Sequence, residues 1–166
     1  MLSGLAPVWR GDACLLILGS FPGAASLHEQ QYYAHPRNAF WPLMGALVGA
    51  LDLPARPYAD RLQALLDARI ALWDAVAACD RPGSLDAHIR AAQPNDVRDL
   101  VQRLPSLVAV ACNGATAHKQ TTRLLPGWEL IGLPSSSPAH AGLSLSAKQE
   151  IWLQRLRGVT GVSGTG

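Results

Sequence analysis

Charge is scarce in this 166-residue chain: Asp, Glu, Lys and Arg make up 16% of it against 49% apolar residues, and no run of five like charges occurs. Solvated low-complexity tails and charge-laced coiled coils are thereby excluded, and one compact domain with a core that needs no staples is expected. Cysteine is scarce too. Cys14, Cys79 and Cys112 are odd in number, far apart, and set in or beside apolar stretches. They make no disulfide framework and lack the four-ligand pattern of structural zinc or an iron–sulfur cluster, so reduced core thiols are expected, with no metal and no cofactor. The apolar run at 14–19 is too short for a membrane span and lacks a signal peptide's charged start. No membrane partner and a cytoplasmic location are the expectation. Lysine is nearly absent, at two residues against twelve arginines. A net charge of +2 permits a nucleic-acid partner without arguing for one, although guanidinium groups suit phosphates and stack on bases.

What is present is a repeated alternation of apolar runs and helical patterns. The runs at 14–19, 70–76, 107–114 and 128–134 are continuously apolar, as strands buried on both faces are. Helical periodicity falls at 38–51, 58–68, 94–104, 114–125 and 146–156. Asn38 stands where an N-cap belongs, and Pro42 lies near a first turn, where proline is best tolerated. The predicted fold is α/β: a three-layer α/β/α sandwich around a central, mainly parallel four-stranded sheet, with residues 1–160 as one domain and 161–166 as a frayed tail. Ligands of such sheets bind beyond the carboxyl ends of the strands. The polar clusters fall there, as "GSFPG" (19–23), "NGATA" (113–117) and "PSSSPAH" (134–140), joined by "HPRNAFW" (35–41).

Each cluster has an ordinary and a chemical reading. Gly19, Ser20, Phe21, Pro22 and Gly23 make either a strand-ending turn or an anion cradle of backbone N–H groups; the segment is neither GxGxxG, nor a Walker motif, nor GxSxG. Asn38 either caps a helix or orients a water or a base edge. Tyr33 is half-buried packing or a stacking platform, whereas Phe40 and Trp41 read as core. Asn113, at a strand end before Gly114, is a turn or cap residue or a reader of a polar edge, since a carboxamide both donates and accepts. Ser135, Ser136 and Ser137 form a plain loop or grip phosphates.

Taken together, three motifs in order resemble the uracil-DNA glycosylase superfamily, and most of all its hypoxanthine (deoxyinosine) branch. "LILGSFPG" resembles the first motif of that superfamily, "YAHPRNAFW" its aromatic-to-asparagine segment, and "LPSSSPAH" the second motif, which grips the DNA backbone ahead of a wedge loop. The likeness spans about residues 14 to 150. It implies a monofunctional glycosylase acting as a monomer on double-stranded DNA that carries a damaged base. By the same likeness Tyr33 stacks on the extruded base and Gly19 to Gly23 border it. Asn38 replaces the water-positioning residue missing at Phe21, and Asn113 reads the base. Ser135, Ser136 and Ser137 hold the backbone while His140 or Leu143 fills the vacated stack. Strand cleavage through a Schiff base needs an amine nucleophile, and Lys119 and Lys148 both fall in predicted helices outside the motifs. Three rivals stay open at this point: a uracil or thymine mismatch glycosylase, a non-catalytic lesion binder, and an unrelated α/β hydrolase, for which Asp74, after the second strand, is either structural or a pocket-lining residue.

Overall fold

The computed structural model describes residues 1–160; the predicted tail at 161–166 lies outside the described residues. In chain order the elements are β1 (Leu2–Ser3), β2 (Leu15–Gly19), α1 (Ala24–Glu29), α2 (Phe40–Val48), α3 (Tyr58–Asp67), β3 (Ile70–Asp74), β4 (Val76–Asp80), β5 (Arg90–Pro94), α4 (Val97–Gln102), β6 (Ala109–Asn113), α5 (Ala115–Leu124), β7 (Leu130–Leu133) and α6 (Leu145–Leu156). Strands β3, β2, β6 and β7 form, in that order, the expected four-stranded sheet, and every pair in it is parallel.

Alternate residues of each strand feed two cores, because side chains leave a strand on opposite faces in turn. Leu15, Ile17, Ile70, Leu72 and Ala111 pack with Phe40, Met44, Leu65 and Trp152 of α2, α3 and α6. Leu16, Leu18, Ala71 and Val110 pack with Val97, Leu100 and Leu125 beside α4 and α5. These are the three layers that the apolar runs predict. All three cysteines are buried, unbridged thiols.

Two expectations are corrected. The predicted strand 70–76 is broken: β3 ends at Asp74, and from Val76 the chain runs into β4 of a second sheet, antiparallel, in the order β1-β4-β5. Its partners carry little signal, since β1 has two residues and β5, "RAAQP", is exposed throughout and poor in β-formers. The helix expected at 38–51 is shorter at both ends. It starts at Phe40, and Gly49, at φ 75° in the left-handed region that glycine tolerates best, caps it after Val48. The six-residue α1 has no counterpart among the sequence expectations.

Register decides what meets at the sheet's edge. Gly19 pairs with Asp74, Leu18 with Cys112, and Asn113 with Leu133. The last residues of all four strands therefore form a row, and the loops leaving that row build one cavity.

Candidate active site

The cavity over the strand ends has a volume of about 170 Å³ and opens to solvent. A cavity of roughly 150 Å³ already admits a benzene ring, so this one suits a single flat heterocycle. Residues from all the clusters singled out in the sequence line it: Gly19 to Gly23, Tyr33, His35 and Asn38, Asn113, and Ser135 to Ser137. His140 and Leu143 do not line it; His140 is exposed and Leu143 half-buried on the loop that leads into α6.

The first loop is turned inward on its carbonyl side. Ala75 and Val76 N–H donate to the carbonyls of Gly19 and Ser20 at 2.8 and 3.0 Å, and Arg81 Nη2 donates to that of Pro22 at 2.7 Å. The ring of Phe21 packs with Val76 and Cys79 under the Arg81 guanidinium, 5.1 Å from it. Phe21 thus anchors the loop to the second sheet, while Ser20 lines the cavity with its Oγ buried and without a hydrogen-bond partner among the described residues. Gly19 is fixed by crowding: a Cβ there would run into Asp74 Oδ1 and lie 2.9 Å from the Tyr33 hydroxyl.

The 32–41 segment is held by its aromatics. Trp41 Nε1 donates to the Tyr32 carbonyl at 3.0 Å, and Tyr32 Oη donates to that of Ala6 at 2.8 Å. Tyr33 sits at φ 54°, a left-handed conformation unusual for a bulky residue, in a turn that lays its ring on Phe40 at 3.9 Å between centroids and 22° between planes. Phe40 is wholly buried, as its core reading requires. The Tyr33 hydroxyl is buried, which pushes its pKa well above the ordinary phenol value. Asn38 Oδ1 accepts the Phe40 N–H at 3.0 Å, so the capping reading holds although Ala39 occupies the formal cap position. With one lone pair of Oδ1 given to the helix, Asn38 keeps its Nδ2 donor and the second Oδ1 lone pair for a ligand.

Asn113 is 8% exposed and is not a helix cap; Gly114 fills that position, at φ 98° with Ser135 packed against it. The Asn113 carboxamide instead spans the site. Nδ2 donates to Ser136 Oγ at 2.9 Å and to Tyr33 Oη at 3.2 Å, and Oδ1 accepts the Ser136 N–H at 2.9 Å. Both amide hydrogens are spent, and one lone pair of Oδ1 stays available. The three serines expected on the DNA backbone divide accordingly. Ser136, 1% exposed, faces Asn113, whereas Ser135 and Ser137 sit half-buried at the rim. The Ser136 carbonyl accepts the Ala39 N–H at 2.9 Å and so ties this loop to the start of α2.

One part of the site escapes the sequence reading. The loop after β4 reaches over the cavity: Ser84 Oγ accepts the Ala24 N–H at 2.8 Å, and Ser84, Leu85 and Asp86 line the mouth. The Pro-Gly pair at 82–83 signals a turn there, but no local pattern tells where the turn lands. Asp74 is 4% exposed, lines the cavity, and its Oδ2 has no hydrogen-bond partner among the described residues. Burial, reinforced by the Asp86 charge and opposed by that of Arg81, pushes its carboxyl up to about 7. Lys148, expected on a helix away from the motifs, is in fact buried beneath the second loop, where its Nζ donates to the carbonyls of His140 at 2.8 Å and Ser137 at 3.4 Å. Those bonds hold it away from the cavity.

Fold and site define an α/β/α domain with a ring-sized cavity at the strand ends, walled by a stacked tyrosine and a buried carboxamide. The model of the uracil DNA glycosylase superfamily matches residues 8–156, and the chain belongs to that family. It is 36% identical over 155 residues to a hypoxanthine DNA glycosylase of Methanosarcina barkeri, an alignment covering 93% of this chain and 97% of that one. A hypoxanthine DNA glycosylase of Methanosarcina acetivorans is 38% identical over 148 residues, 89% of this chain and 93% of that one. A solution NMR structure from Methanosarcina acetivorans, described as a candidate uracil DNA glycosylase, superposes with a TM-score of 0.81 at 34% identity, over 95% of this chain and 97% of that one.

Proposed function

We propose that this protein is a monofunctional DNA glycosylase that extrudes hypoxanthine from double-stranded DNA, hydrolyses its N-glycosidic bond and leaves an abasic site. The observation that carries the proposal is the Asn113 carboxamide, locked by Ser136 and Tyr33 at the floor of a cavity that fits one ring system. Its remaining acceptor suits the N1–H of hypoxanthine, and adenine has a bare lone pair at that position. The names of the two relatives support the same substrate.

A base within a duplex is out of reach, so the nucleotide has to leave the stack at a cost of a few kcal/mol, lowest for a poorly paired base. Ser135 and Ser137 at the rim contact the backbone, and His140 or Leu143 fills the gap. The extruded base lies against Tyr33, whose other face Phe40 supports. Asn38, the cavity's remaining free amide donor, orients the water that attacks C1′. No lysine lines the cavity. Lys119 is exposed on α5, and Lys148 is occupied by carbonyls. The imine route to strand cleavage thus lacks its nucleophile. The proposal includes action as a monomer in the cytoplasm; among the described residues no helix is long and apolar enough to cross a membrane.

The test is release of free base from duplexes carrying one hypoxanthine or one uracil, with alkali added afterwards to reveal abasic sites. Cleavage at hypoxanthine, and only after alkali, is expected. Cleavage chiefly at uracil would transfer the protein to mismatch-uracil repair, and tight binding with no cleavage would leave a lesion binder.

A further inference from the structure

One buried group of the cavity has no part in the chemistry above. Asp74 ends β3 beside Gly19, its Oδ1 sharing with the Tyr33 hydroxyl the space that a Gly19 side chain would fill. Its backbone carbonyl accepts from Asn95 Nδ2 at 2.8 Å. Asp74 lines the cavity, and neither of its carboxyl oxygens has a hydrogen-bond partner among the described residues: Oδ2 is buried, and Oδ1 lies toward Gly19 and the Tyr33 hydroxyl. A carboxylate built only for structure would have a cation or several N–H donors on both oxygens.

We propose that Asp74 is the general acid of the reaction: as a neutral carboxyl it protonates an unprotonated ring nitrogen of the departing purine, N7 or N3, as the glycosidic bond breaks. The inference rests on the hypoxanthine reading. The C1′–N9 electron pair passes to the base while the Asp74 proton moves to the ring nitrogen, so hypoxanthine leaves neutral. Water oxygen bonds to C1′, and the proton it sheds goes to solvent, from which Asp74 is recharged. The sum is deoxyinosine plus water giving hypoxanthine and an abasic deoxyribose.

The surroundings keep the carboxyl protonated near neutrality. Asp86, from the loop over the mouth, adds like charge, and the hydroxyls of Tyr32 and Tyr33 approach from the turn before α2. Arg81, at the end of β4, is the opposing cation. Its guanidinium is drawn off to the Gly83 and Pro22 carbonyls, at 2.8 and 2.7 Å.

The test is single-turnover base release by wild type and Asp74→Asn on duplexes carrying hypoxanthine, 7-deazahypoxanthine or 3-deazahypoxanthine, across pH. Asn is nearly isosteric, and circular dichroism with melting checks its fold; Asp74→Ser serves as the second variant if Asn does not fold. On hypoxanthine the variant is expected to be slower by about 10²- to 10⁴-fold, the range for a positioned acid. The wild-type rate should fall on the alkaline side of neutrality, and the variant's should not. On the deaza base that lacks the accepting nitrogen, the ratio of wild-type to variant rates collapses toward one. Equal rates on hypoxanthine, a shared pH profile, or an undiminished ratio on both deaza bases overturns the assignment. A wild type that releases uracil but no hypoxanthine overturns the substrate reading and, with it, a purine acid.

Discussion

Asn113→Ala and Asn113→Asp separate what the carboxamide does for the fold from what it does for a substrate. Alanine strands the Ser136 N–H, whose partner is Asn113 Oδ1 at 2.9 Å in a residue only 1% exposed. A buried donor left without a partner costs about 1–3 kcal/mol, and the two lost amide donors add less because the Ser136 and Tyr33 hydroxyl oxygens that accepted them keep their own O–H donors. A total of about 2–3 kcal/mol, at roughly 2–4 °C per kcal/mol for a domain of this size, lowers the melting temperature by about 4–12 °C. Aspartate keeps the acceptor, and both hydroxyls can turn to donate to the new oxygen, so the fold loses much less. It fails in chemistry, because a negative charge on the cavity floor opposes the charge that builds on a departing base; the rate falls by about 10²–10³, the usual effect of a misplaced stabilising group. Thermal melts and single-turnover base release on both variants are the assays. An alanine variant that melts within about 2 °C of wild type, or an aspartate variant that excises at the wild-type rate, refutes the reasoning.

Three further outcomes are expected. Asn38→Asp preserves the acceptor that serves the Phe40 N–H at 3.0 Å, so base release should fall tenfold or more on the order set by general positioning effects while the melting temperature hardly moves. Gly19→Ala drives a methyl between Asp74 and the Tyr33 hydroxyl; it should cost about 1–3 kcal/mol in urea unfolding, the usual range for overpacking, and activity should drop with it. Asp74 is lifted from 3.8 to about 7 on folding, so the native state holds a proton that the unfolded chain has lost throughout that window. Its contribution to stability therefore falls as pH rises from about 4 to 7, by at most about 4 kcal/mol, and is level above that. The unfolding free energy of wild type minus that of Asp74→Asn, followed by urea titration from about pH 5 to pH 8, should decline with pH, and a flat difference would show Asp74 ionised in the native state.

What the sequence made legible was whatever it encodes within one element. Four predominantly apolar runs, lacking the alternation of a half-exposed strand, read as strands covered on both faces, and the strand-end rule then puts Gly19, Asn113 and Ser135 at one edge before any contact is known. The second sheet was illegible for the same reason. Strand β5 is exposed along its whole length, so no apolar pattern marks it, and β4 continues β3 with only Ala75 between them. Lys148 reads as a helix residue outside the motifs because its partners, the carbonyls of Ser137 and His140, are backbone atoms that any sequence would supply.

The motifs themselves carry a meaning that position alone hides. As a sequence, "GSFPG" reads as a flexible turn whose glycines let a ligand approach. In the structure Gly19 is the one residue that lets Asp74 and Tyr33 share a wall of the cavity, since any side chain would drive them apart. The same register that pairs Gly19 with Asp74 ends β3 at that point, and the break after Asp74 sends the chain into the second sheet, from which Arg81 and Asp86 act on the carboxyl. The feature that defeated the strand expectation at 70–76 is thus the one that builds the acid. A strand continued through 76 in the parallel sheet would leave Asp74 as one more buried core position, with neither a cavity to face nor a loop to bias its proton.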